Sequence, residues 1–166
     1  MANIPATSNP GPAFQPAFKR VVQSHDFDCG LFACIAMVAN KTEAEVRKVA
    51  VEKFEVPEHG PWWMTDVMLT GICNSFGWGV TAYKEVSKIA DLPDTAFLMV
   101  DFNAQTQIGR HVIFHRVRAA AGVEYIIDPA EWITDPTKQI RMDVKSLPPP
   151  LWYVGVEAIK GGYKTR

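Results

Sequence analysis

From Cys29 to Asn40 the chain reads CGLFACIAMVAN, an apolar run that predicts a helix buried around most of its circumference. A second helix is expected from Thr42. Thr42 and Glu45 have the Thr-x-x-Glu spacing of a capping box, and Val46, Val49 and Ala50 recur on one face until about Phe54. Residues Val56 to Pro61 then read as a loop. A third helix is expected over about Met64–Phe76, with Val67, Met68, Gly71, Ile72 and Ser75 at helical spacing and Gly77 as its stop.

Beyond Gly77 the period changes to two and the residues become β-branched or aromatic. Val80–Tyr83 reads as a short strand and Thr95–Asp101 (TAFLMVD) as a central one. Arg110–Val117 (RHVIFHRV) and Val123–Asp128 (VEYIID) form a hairpin across Arg118–Gly122, and Leu151–Ala158 (LWYVGVEA) follows three prolines as a final strand. Helices first and strands later predict an α+β domain with an antiparallel sheet, not a βαβ wrap.

Composition narrows the function classes. With 166 residues, 48% of them hydrophobic and 21% charged, the chain suits one globular domain. A net charge of −1 gives no electrostatic reason to expect nucleic acid or an anionic membrane as partner. No apolar run approaches the roughly 20 residues of a membrane span, and none at the N-terminus resembles a signal segment. A cytoplasmic protein is therefore expected, or one exported without a leader as an effector. Residues 1–18 read as a flexible Pro-rich lead-in, 19–160 as the domain and 161–166 as a tail. The three cysteines Cys29, Cys34 and Cys73 lack CxxC spacing and cannot all pair. Cys34 and Cys73 read as core. His25, Asp26, Asp28 and Cys29 could approach a metal, but nothing downstream supplies further ligands at metal spacing, so no cofactor or metal is expected.

Cys29 stands apart because it falls where a helix should begin. A helix N-terminus stabilises a thiolate through its unpaired N–H groups and positive dipole end. Asp28 before it reads as an N-terminal carboxylate and Gly30 after it keeps the thiol accessible. Acyl transfer also needs oxyanion donors, and Gln23, six residues upstream, brings a side-chain amide. The base must be delivered by the fold. His111 opens one strand and Asp128 ends the next, so an antiparallel hairpin sets them side by side, with the carboxylate fixing the imidazole tautomer. His115, on the same strand face, reads as a structural histidine bonded to a partner. Trp62, Trp63, Trp78 and Trp132 are candidates to line a substrate groove, whereas Phe97, Phe114 and Trp152 read as strand core.

The run Gln23-x4-Asp28-Cys29-Gly30, then HVIFHRV, then IIDPA with Asp128 17 residues after His111, resembles the papain-like cysteine peptidases. It is most similar to their C39-type, bacteriocin-processing domains. The resemblance spans about Val21–Val156. It implies a papain-like fold, in which a helical part led by the cysteine helix packs on an antiparallel sheet carrying His and Asp. It also implies Cys29 as nucleophile, His111 as base, Asp128 as its orienter and Gln23 as the oxyanion amide, acting on a peptide or protein substrate. No transporter segment follows, so double-glycine specificity is not assumed, and Gly161-Gly162 reads as tail. The same machinery would serve a glutamine deamidase or transglutaminase-type effector. A catalytically silent papain-like domain that binds a peptide is the non-enzymatic alternative.

Overall fold

The computed structural model of the chain describes residues 15–24, 29–59 and 64–159, with backbone alone at Cys29 and Ala120. It is an α+β domain in which helices pack on an antiparallel sheet. Helix α1 (Cys29–Ala39) has no polar face, and Leu31 to Val38 are all buried, so it runs through the centre of the helical layer. Helix α2 (Glu43–Phe54) starts at the expected capping box. Thr42 Oγ1 accepts from the Glu45 N–H at 3.1 Å, and Glu45 accepts from the Thr42 N–H at 2.7 Å.

Helix α3 (Asp66–Ser75) is shorter than expected because Thr65 caps it, its Oγ1 accepting from the Met68 N–H. Its buried face is Leu69, Ile72 and Cys73, and Val67 is 80% exposed. The face expected from Val67 and Gly71 is therefore rotated toward Leu69. Gly71 instead lets the helix approach α2, where a methyl group in its place would meet the Phe54 ring at 2.2 Å.

The sheet runs β1 (Trp78–Val80), β7 (Trp152–Ala158), β3 (Thr95–Asn103), β4 (Ile108–Val117), β5 (Val123–Ile127), β6 (Ile140–Arg141), with β2 (Lys84–Glu85) also on β7. The strand expected over Val80–Tyr83 is split. Thr81 keeps one backbone bond to β7, its N–H donating to Gly155 O at 3.0 Å, but its hydroxyl takes the returning Gly155 N–H at 2.9 Å, and residues 81–83 lie outside the strands. Both sheet faces are covered. Phe97, Ile113, Tyr125, Ile127, Val154 and Val156 join the helical core. Leu98, Val112, Phe114 and Ile126 join a second cluster under Leu92, Val144 and Leu151. That double burial is why the central strands read as nearly unbroken apolar runs. Among the described residues no helix is long and apolar enough to cross a membrane.

Candidate active site

Two polar residues are buried where α1 begins against β4, Gln23 (2% exposed) and His111 (7%), and Asp128 (1%) is buried just past the end of β5. The meeting point is Gly30, the second residue of α1. A methyl group there would sit 3.3 Å from Gln23 Oε1 and 3.5 Å from the His111 backbone nitrogen. A side chain there would press the Gln23 amide by a few tenths of an ångström and touch the strand backbone at ordinary contact distance, so the amide, the strand and the helix start are close-packed around this glycine. The fold thus brings Gln23 and His111 to the first turn of the helix that Cys29 heads. The Cys29 side chain and residues 25–28, which include His25 and Asp28, lie outside the described residues, as do Trp62 and Trp63.

Gln23 is held by its backbone. Its N–H donates to Pro129 O at 2.8 Å, and Arg20 clamps the same loop through Nε to Asp128 O (2.7 Å) and Nη2 to Ala130 O (2.8 Å). Burial lowers the Arg20 pKa, against the pull of Asp128. On the other side Ser24 Oγ donates to Glu43 at 2.9 Å, and Arg47 binds both Ser24 and Glu43. The approach segment is therefore fastened to β5's exit and to α2 before it reaches the helix.

His111 faces the helical layer. Its Nε2 lies 2.8 Å from the Tyr83 hydroxyl, and its Nδ1 has no hydrogen-bond partner among the described residues. Burial in apolar surroundings pulls its pKa down from 6.5 to about 4, so the imidazole is neutral across the physiological range. A neutral ring with an unbonded nitrogen is able to accept a proton, as a weak base at neutral pH. Burial likewise raises the pKa of the Tyr83 hydroxyl, and nearby Cys34 and Asp66 add to the rise.

Asp128 does not contact His111. Its Oδ2 accepts from Arg110 Nη1 at 2.5 Å and its Oδ1 from the Ala130 N–H at 3.0 Å. The register explains this. Ile113 pairs with Ile127, so the next position places Asp128 level with Val112 and on the parity of the opposite sheet face. Arg110 has that same parity and also binds Asp101. Burial opposes the charge on Arg110, but its bonds to Asp128 and Asp101 outweigh it and raise its pKa. The expected tautomer-fixing contact from Asp128 is thus replaced by an Arg110 ion pair, and Tyr83 occupies the imidazole.

Other expectations sort cleanly. His115 Nδ1 lies 2.8 Å from the Tyr125 hydroxyl, which accepts the Ala17 N–H at 2.9 Å, a structural role. Cys34 and Cys73 are buried. Burial raises the Cys73 thiol to about 12 and the Cys34 thiol well above its ordinary value. Trp78 packs against the core, while Trp132 is 53% exposed. Trp132 joins Ile108, Gly109, Arg110 and Asp101 around a cleft of 440 Å³ beside the strand position of His111. The larger cavity, of 660 Å³, lies along β1 and β7 and includes none of the candidate residues. Among the described residues no cluster of His, Cys, Asp or Glu could hold a metal ion.

Tyr83 and Arg110 are the site residues that pattern reading missed. Tyr83 was hidden at the end of a strand that does not continue through it. Arg110 was legible in principle, since the β3–β4 hairpin sets it opposite Val100, beside Asp101. No protein-family model matches the chain, and no curated protein matches its sequence.

Proposed function

We propose that the protein is a papain-like cysteine hydrolase that cleaves peptide or isopeptide amides through a thioester. The observation that carries this reading is the convergence, at Gly30, of the start of α1 with the buried amide of Gln23 and the buried strand position of His111. The open Nδ1 of a neutral His111 supports it. In the first step the Cys29 sulfur bonds to the substrate carbonyl carbon and its proton passes to His111 Nδ1. The carbonyl electron pair moves to oxygen, where the Gln23 amide and the Cys29 N–H donate to it. Collapse re-forms the carbonyl and breaks the C–N bond, and the departing amine takes the proton from the imidazolium. Water, deprotonated by the freed imidazole, then hydrolyses the thioester.

The cleft beside Arg110 supports a peptide substrate with a bulky apolar side chain. Its volume is within the usual range for ligand pockets, and it carries two of the exposed large hydrophobics, Ile108 and Trp132. A deamidase or transglutaminase would share the acyl-enzyme and differ only in what enters and leaves.

The test is alkylation by iodoacetamide between pH 5 and 9, with the modified residue located by mass spectrometry. Cys34 and Cys73 are buried and fully protonated, so only Cys29 is expected to label quickly near neutral pH, and His111→Ala should slow it. Equal, slow labelling of all three cysteines would overturn the hydrolase reading and leave a peptide-binding domain.

A further inference from the structure

We infer that Tyr83, and not a carboxylate, is the residue that positions the His111 imidazole as a base. The inference rests on the hydrolase reading and assigns one of its parts. It starts from the 2.8 Å contact between the Tyr83 hydroxyl and His111 Nε2, with Nδ1 open and the ring buried. Two tautomers satisfy that contact. If the hydroxyl donates to Nε2, the ring proton sits on Nδ1 and His111 cannot take a proton from a thiol. If Nε2–H donates to the hydroxyl oxygen, Nδ1 keeps its lone pair and is free to accept one.

The second arrangement survives the reaction unchanged. When Nδ1 takes the thiol proton, Nε2–H still donates to the Tyr83 oxygen, now from a cation, and the bond strengthens. A neutral hydroxyl stabilises an imidazolium less than a carboxylate would. Burial keeps the Tyr83 hydroxyl itself protonated, which agrees with its role as a neutral acceptor. The groups facing the ring support the same assignment. Tyr83 meets its far nitrogen and Gly30 lies against its backbone, while Asp128 is committed to Arg110 and the Ala130 N–H.

The experiment compares the full chain with Tyr83→Phe and Asp128→Asn, using ¹⁵N NMR of the histidine rings and the pH profile of iodoacetamide alkylation at Cys29. The expected wild-type spectrum at pH 7 has His111 protonated on Nε2. Tyr83→Phe should shift it toward a mixture of tautomers and slow alkylation by about tenfold, the worth of one hydrogen bond. Asp128→Asn should leave the tautomer in place. The inference is overturned by an Nδ1-protonated ring in the wild type, by a Tyr83→Phe variant that changes neither readout, or by an Asp128→Asn variant that changes the tautomer. If wild-type Cys29 alkylates no faster than it does in the urea-unfolded chain, the hydrolase reading fails alone. The ring spectra still decide whether Tyr83 holds the imidazole.

Discussion

Asp128 binds Arg110, the residue before His111, and leaves the imidazole to Tyr83. One strand position separates the two outcomes. Because side chains alternate across a sheet, the residue level with Val112 looks to the opposite face from His111. A carboxylate that is 1% exposed must be paired, and Arg110 is the cation on its own parity.

Removing Arg110 should therefore be a stability lesion before it is anything else. Arg110→Ala leaves the Asp128 carboxylate buried with only the Ala130 N–H, and the cost of breaking such a pair is about 3–5 kcal/mol. Urea unfolding would show a large drop in the midpoint at unchanged slope. Arg110→Ala combined with Asp128→Leu should recover much of the loss, since an apolar pair of similar volume avoids the unpaired charge.

How much of this was legible follows from which forces act locally. The capping box of α2, the buried length of α1 and the strand runs of β3, β4 and β7 are written in spacing and composition, and the structure has them where the sequence puts them. The gathering of Gln23 and His111 at α1 was legible only through motif order. The partners of His111 and Asp128 were not, because hairpin parity depends on the register. That register is set by the turn through Arg118–Ala120 and fixes Ile113 opposite Ile127. Tyr83 was illegible for another reason. Its position follows from Thr81 interrupting the strand, a side-chain bond that no periodicity reveals.

The depressed pKa of His111 makes a stability prediction with a definite sign. Folding lowers it from 6.5 to about 4, so between those values the unfolded chain binds the extra proton. Its stabilising contribution is complete above pH 6.5, falls as the pH drops through that window, and is gone below about 4. The full loss is up to about 3 kcal/mol, from 1.36 kcal/mol per pKa unit. His111→Gln should flatten this part of the curve. Urea titrations of both proteins at pH 4.5 and 7.5 measure the difference. Equal pH dependence would mean that His111 is not desolvated.

At the cleft, Trp132→Ala should separate binding from folding. The side chain is 53% exposed, so its removal should leave stability within about 0.5 kcal/mol. On the hydrolase reading it should raise KM for substrates with a bulky apolar side chain and leave kcat nearly unchanged, the signature of lost uniform binding. Cleavage of matched peptides that differ at one apolar position checks this. An unchanged KM across the panel would remove the cleft from substrate recognition.

The segment before Gln23 is fastened by Tyr125, and this fixes what its loss should do. Its hydroxyl takes the Ala17 N–H and meets His115 Nδ1, while Phe18 stacks edge-on over the His115 ring at 5.1 Å. The oxygen accepts from Ala17 and the hydroxyl shares a second hydrogen bond with His115 Nδ1. Burial lowers the His115 pKa, against the opposing charge of Asp94, which favours the neutral ring. Tyr125→Phe removes both bonds from groups that water can reach, at about 0.5–1.5 kcal/mol each. The loss should fall first on residues 15–19, because Arg20 still clamps the segment that follows to Asp128 and Ala130. Hydrogen exchange should show the Ala17 amide losing its protection while α1 and β4 keep theirs. A uniform loss over the whole domain would instead mean that the hydroxyl supports the core, and not the strap that carries Gln23 to the site.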